Sequence, residues 1–156
     1  MGTLVAFYSR TGITKKVAEI IADSLKCDTE EIFTTKNRSG PIGYLICGKE
    51  AMEKKPAGIK PTKKKLDEYD LVIAGTPIWG WNMSSPVRAY LELNNKDFRK
   101  LAFFCTQGGS GAERAFKDME EVCKKKPVAT LMLKTEEVNK GGYMDKVNEF
   151  IKMLKL

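Results

Sequence analysis

Short apolar runs alternate with stretches of helical periodicity from one end of the chain to the other. Thr3–Tyr8 (TLVAFY) reads as a strand. Ile13–Leu25 follows it with Val17, Ala18, Ile20, Ile21 and Leu25 on one face, the spacing of an amphipathic helix. Glu30–Thr34 (EEIFT) predicts a short second strand. Residues 41–54 begin at Pro41, carry Tyr44, Leu45, Cys47 and Met52, and predict a helix that Pro56, Gly58 and Pro61 end in a loop before Leu66. Leu71–Gly75 (LVIAG) is continuously apolar, as a strand buried on both faces must be. Pro86–Leu93 predicts a short helix, Leu101–Cys105 a fourth strand, Ser110–Lys124 a helix and Val128–Leu133 a fifth strand. Gly142–Leu154 closes the series as a helix with Met144, Val147, Phe150, Ile151 and Leu154 on its apolar face. No internal repeat or low-complexity linker interrupts this order, so residues 1–156 are read as a single domain.

Strands alternating with helices imply right-handed crossovers and a parallel sheet. The expected fold class is α/β: a doubly wound, five-stranded parallel sheet in the order 2-1-3-4-5, with helices on both faces. Such sheets bind ligands beyond the carboxyl ends of their strands, where the winding direction switches. The loops after the first, third and fourth strands are therefore where chemistry is expected.

Composition narrows the choice. An apolar fraction of 42% and a charged fraction of 30% over 156 residues suit a folded domain with a sizeable core. No apolar run reaches the ~18 residues of a membrane span, and the start MGTLVAFYSR lacks a basic leader region, so no membrane insertion is expected. There is no histidine, and the four cysteines (Cys27, Cys47, Cys105, Cys123) are far apart, which argues against zinc and against histidine-based catalysis. Cys47 and Cys105 sit in apolar runs and read as core residues of a reducing, cytoplasmic protein. The net charge of +7 arises from scattered lysine clusters, Lys63 to Lys65 and Lys124 to Lys126 among them, flanked by acids or proline. That scatter suits solvated helix ends better than a nucleic-acid track, so no nucleic acid is expected, and a basic docking face for an acidic protein is favoured.

The first loop is Ser9-Arg10-Thr11-Gly12-Ile13-Thr14. It has neither the Walker pattern nor the G-x-G-x-x-G of dinucleotide sites. Three hydroxyls, an Arg and a Gly at a helix start point to a phosphate, whereas capping the helix would need only one hydroxyl. In the second loop, Thr76-Pro77-Ile78-Trp79-Gly80-Trp81-Asn82-Met83, Trp79 is read as stacking on a planar ring and Trp81 as plugging the end of the sheet. The third loop, Thr106-Gln107-Gly108-Gly109-Ser110-Gly111, offers main chain that can lie against a flat ligand, with Thr106 and Gln107 able to bond its edge. A plain turn with Ser110 capping the next helix uses the same residues.

VAFYSRTGITKKVAEII resembles the FMN-phosphate motif of the flavodoxin family, with Phe7, Ser9, Gly12, Thr14, Ala18 and Ile21 in its places and Ala6 smaller than usual. GTPIWG and CTQGG resemble the family's second and third loops, and the likeness spans the whole chain. It implies one non-covalent FMN. Ser9, Arg10, Thr11, Gly12, Ile13 and Thr14 would hold the phosphate. Pro77, Ile78, Trp79, Gly80 and Asn82 would flank one side of the ring, and Thr106, Gln107, Gly108 and Gly109 the other. The resemblance favours an electron carrier serving redox protein partners such as ferredoxin-linked oxidoreductases, as a monomer or weak dimer. Two alternatives stay open: an FMN-dependent NAD(P)H:quinone or flavin oxidoreductase, and a binding module without turnover. Two departures bear on the choice: the third loop has no aromatic, and the chain is basic where carriers of that family are typically acidic.

Overall fold

The computed structural model describes residues 2–156. The elements, in chain order, are β1 (Gly2–Phe7), α1 (Ile13–Leu25), β2 (Asp28–Glu31), α2 (Gly40–Met52), β3 (Tyr69–Trp79), β4 (Asn82–Met83), α3 (Ser85–Asn94), β5 (Lys100–Gln107), α4 (Ala112–Cys123), β6 (Thr130–Lys134), α5 (Thr135–Lys140) and α6 (Met144–Met153). The strands run in the order β2-β1-β3-β5-β6, with every neighbouring pair parallel. This is the expected 2-1-3-4-5 sheet, a flavodoxin-like α/β fold. The additional β4 pairs antiparallel with the end of β3.

Side chains alternate across the sheet with period two and so feed two cores. Val5, Phe7, Ile73 and Phe104 face α1 and α6, meeting Val17, Ile21, Val147 and Phe150. Leu4, Ala6, Val72 and Phe103 face the other way, meeting Tyr90 and Leu91 of α3 and Met119 of α4. Both faces of β1, β3 and β5 are thus dry, which explains why these strands read as unbroken apolar runs. Between α3 and α4, Arg88 pairs with Asp118 out of solvent, and Lys54 stands 3.7 Å from the same carboxylate. Cys47 and Cys105 are buried as expected, Cys123 is buried too, and burial pushes the Cys105 and Cys123 thiols up to about 12. Among the described residues no helix is long and apolar enough to cross a membrane.

Three elements differ from the sequence reading. The second strand lies at Asp28–Glu31 rather than Glu30–Thr34: the ladder with Leu4–Phe7 sets its register, and Ile32 donates the last bond, 2.7 Å to the Phe7 carbonyl. Pairing with a neighbour overrides the β-propensity of Ile32 and Phe33. Secondly, β3 continues past Gly75 to Trp79 and turns back through Gly80 (φ +53°) and Trp81 (φ +62°) into β4. Two left-handed residues in succession make the tight hairpin that matches strand twist, suited to Gly but costly for Trp. Thirdly, α5 is too short for a periodic signal. It buries only Val138, and Glu137 accepts the Lys134 N–H at 2.9 Å to start it.

Candidate functional site

A cleft of about 770 Å³ opens at the carboxyl ends of β1, β3 and β5, the place the winding of the sheet predicts. Its walls contain Ser9, Arg10, Thr11, Ile13 and Thr14 of the first loop, Pro77, Ile78, Trp79 and Gly80 of the second, and Thr106 and Gly108 of the third. Eleven of the fifteen expected residues therefore converge there. Gly12, Asn82, Gln107 and Gly109 are not on the lining.

Gly12 acts through the backbone. At φ +95° it turns the chain into α1, and its N–H donates to Ser9 Oγ at 3.1 Å. The start of α1 has no side-chain cap and no acid in its first turn, and its first internal bond is Lys16 N–H to the Gly12 carbonyl at 3.0 Å. Its leading N–H groups are thus left for an external acceptor, at the positive end of the helix dipole. The start of α4 contrasts with it: Gln107 Oε1 accepts the Ala112 N–H at 3.1 Å, and Glu113 lies in the first turn. Gln107 Oε1 is therefore engaged at the start of α4.

Arg10 links the first loop to α2. Its Nη2 donates to the Gly40 carbonyl at 3.3 Å and its guanidinium lies 5.4 Å from the centre of the Tyr44 ring, while its buried Nε has no acceptor. Thr14 and Thr106 share a hydrogen bond of 2.8 Å between their hydroxyls, joining the first loop to β5 inside the cleft. Asn82 is buried behind the wall, where its Nδ2 donates to the carbonyls of Ala51 (3.1 Å) and Gly80 (3.3 Å). It holds the hairpin to α2 rather than facing the cavity.

Both tryptophans line the cleft, but they are held differently. Trp79 packs against the second core with Tyr8 edge-on to it, centroids 5.5 Å apart and planes at 88°. Trp81 lines the cleft and is 53% exposed. The left-handed turn swings it outward, and Gly111 lies so close that a Cβ there would come within 2.7 Å of Trp81 Cα. If Trp81 is the stacking surface, Trp81→Ala should weaken FMN by about 0.5–1.5 kcal/mol with the melting point held or raised, whereas Trp79→Ala should chiefly lower the melting point. Calorimetric titration beside thermal unfolding separates the two, and the reverse pattern would restore Trp79 as the stacking residue.

The sequence reading did not foresee the wall made by α2. Tyr44, Leu45, Cys47, Gly48, Lys49, Met52 and Glu53 line one side of the cleft, and Thr135 contributes from α5. A signal was present: α2 carries apolar residues well beyond one face, leaving Ile42, Tyr44, Leu45 and Met52 more than half exposed, which a helix packed on one face alone would not need. Beneath this wall Arg38 Nη1 lies 2.5 Å from Glu50 Oε2, and Ser85 Oγ donates to the same oxygen at 2.7 Å. Burial pushes the Glu50 carboxyl up, but these bonds outweigh it and hold it below the ordinary carboxylate value. Burial likewise raises the Cys47 thiol, against the opposing pull of Arg38, so Cys47 serves the cleft as a neutral, apolar surface.

These groups fit FMN. An uncapped helix start, the hydroxyls of Ser9 and Thr11 and the unused Arg10 Nε suit a phosphate dianion. Trp81, Ile78 and the bare main chain at Gly108 suit a flat heteroaromatic ring.

Among solved structures the chain is similar to a flavoprotein in complex with FMN from Lactobacillus acidophilus, 22% identical over 89% of this chain and 97% of that one, with a TM-score of 0.73. It is also similar to an apo NADH:FMN oxidoreductase (14% identical, 100% and 90% covered, TM-score 0.56) and to an oxidised flavodoxin from Bacillus cereus (17% identical, 99% of each chain covered, TM-score 0.54). At these identities the likeness establishes the shared fold. A search of curated protein sequences finds no match to this chain. Residues 2–139 match the family model of NADPH-dependent FMN reductases, which refines the resemblance to flavodoxins. On that match over most of its length, the chain belongs to the NADPH-dependent FMN reductase family of flavodoxin-like flavoproteins.

Proposed function

We propose that the protein is an FMN-dependent oxidoreductase that takes hydride from NADPH and delivers the electrons to a small acceptor, a quinone or a free flavin. The observation that carries this reading is the open third wall. The cleft's exposed aromatics, Trp81 on the hairpin and Tyr44 on α2, lie away from β5, and β5 and the loop after it contribute only Thr106 and Gly108. A ring seated against the hairpin keeps one face open to a nicotinamide. Family membership supports the same assignment.

FMN, when bound, supplies the two-electron chemistry, accepting hydride from the dihydronicotinamide and passing its electrons on. The chain binds and positions. The start of α1 and Arg10 hold the phosphate, and the Thr14–Thr106 bond fixes the spacing between the first loop and β5. The apolar side of α2, with Leu45, Cys47 and Met52, keeps water from the ring's edge. Lys49 and Glu53 supply the charged side chains of that wall. On anaerobic mixing, NADPH should bleach the visible absorbance of the FMN-loaded protein within milliseconds to seconds, and added quinone should restore it. An absorbance that NADPH leaves unchanged, but that a reduced ferredoxin bleaches, would overturn the assignment in favour of a carrier.

The carrier reading draws on a different feature. Tyr44, Leu45, Met52 and Trp81 form an exposed apolar rim at the cleft, and with a net charge of +7 such a rim suits transient docking of an acidic redox protein.

A further inference from the structure

A second cavity, about 420 Å³, lies on the far side of the first loop, and Ser9 and Arg10 line both. Its other walls come from Tyr8, the segment 31–39 after β2, and Lys60. Four cations and one acid border it: Arg10, Lys36, Arg38, Lys60 and Glu31. Glu31 is neutralised from outside by Lys15 at 2.9 Å, and Arg38 by Glu50 at 2.5 Å. Among the described residues Lys36 and Lys60 form no ion pair, and Arg10 meets only the Gly40 carbonyl and the Tyr44 ring. Arg10 is shared with the flavin phosphate and Lys36 acts on Glu50 only through space, so two lysines without an ion pair face one small space.

The space is built by tertiary contacts. Thr34 bridges Ile59, Lys60 N–H donates to the Phe33 carbonyl at 2.8 Å, and Thr35 N–H donates to the Gly58 carbonyl at 3.1 Å, tying the two lysine-bearing segments together. Asn37 Oδ1 accepts from Ser39 N–H at 2.9 Å and from Ser39 Oγ at 2.7 Å, folding the segment back over the cavity. Holding like charges side by side costs energy, and a dianion of the right size recovers it.

We infer that this second cavity is the subsite for the 2′-phosphate of the reducing dinucleotide, with Lys36 and Lys60 as the residues that distinguish NADPH from NADH. The inference rests on the oxidoreductase assignment above. The flavin's own phosphate is accounted for by the start of α1, on the other side of Ser9 and Arg10. The two cavities share Ser9 and Arg10 as a common wall, and the only chemical difference between NADPH and NADH is a phosphate monoester, dianionic near neutral pH.

The test uses FMN-loaded protein and two non-reducing fragments, 2′,5′-ADP and 5′-AMP, titrated calorimetrically. The expected result is tighter binding of 2′,5′-ADP, lost by roughly tenfold in each of Lys36→Ala and Lys60→Ala, with 5′-AMP binding and FMN content unchanged. The same variants should raise the KM for NADPH by a similar factor and leave kcat and the KM for NADH alone. Acidification through about pH 6 should shrink the preference as the phosphate gains a proton. Equal affinity for the two fragments overturns the inference, as does a loss of FMN in the lysine variants, which would assign these cations to the flavin phosphate. Rapid bleaching by NADPH and NADH with the same KM refutes the subsite and leaves the oxidoreductase assignment standing. No bleaching by either refutes both.

Discussion

FMN should bind at least about a hundredfold more tightly than riboflavin. The two ligands share the ring and differ by the phosphate, so the ratio isolates what the first loop contributes. The uncapped start of α1 leaves N–H donors with no acceptor, and a charge-assisted hydrogen bond is worth about 1.5–3 kcal/mol. Two such bonds at the low end give about 3 kcal/mol, already a hundredfold at about 1.4 kcal/mol per decade. The helix dipole adds up to about 2 kcal/mol, and the buried Arg10 Nε gains the acceptor it lacks. The preference should fall as pH drops through about 6, where the phosphate dianion takes up a proton. Calorimetric titration of apoprotein with both ligands measures it, and affinities within tenfold of each other would mean that the first loop does not hold a phosphate.

Asp118→Ala should lower the unfolding free energy by about 3–5 kcal/mol, because it strands the Arg88 guanidinium between α3 and α4. Arg88 is 3% exposed and its Nε already has no acceptor, so water cannot replace the lost carboxylate. The reverse deletion, Arg88→Ala, should cost less: Lys54, 3.7 Å from Asp118 and half exposed, can swing in to compensate. Replacing the pair together by Met and Leu should come close to neutral, since removing both charges also removes their desolvation cost. Urea unfolding of the two single variants and the double variant checks the asymmetry. Two equal losses below about 1 kcal/mol would show that the pair is solvated in solution.

The apolar pattern by itself determined the sheet. Leu71–Gly75 and Leu101–Cys105 are apolar at consecutive positions, which only a strand covered on both faces requires, and the alternation with amphipathic segments left the doubly wound order as the natural arrangement. The first loop was legible for a related reason. The hydroxyls and helix start that suit a phosphate are local, so Ser9 to Thr14 present them within six consecutive residues.

Tertiary structure decided the rest, wherever a residue's role depends on a partner far along the chain. Gln107 uses its Oε1 on the Ala112 N–H, a bond that the sequence did not foresee. Asn82 is taken by the carbonyl of Ala51, thirty-one positions away. Nothing local separates Trp79 from Trp81; the left-handed turn at Gly80 and Trp81 leaves one half-buried against the core and the other exposed, both in the cleft wall. The wall formed by α2 and the second cavity both arise where the segments after β1 and β2 meet. A bridge such as Thr34 to Ile59 brings Lys36 and Lys60 to one space. Propensity and periodicity act over a few residues, whereas side-chain pairing acts through space, so the sequence specified the frame and one loop while the fold assigned the partners.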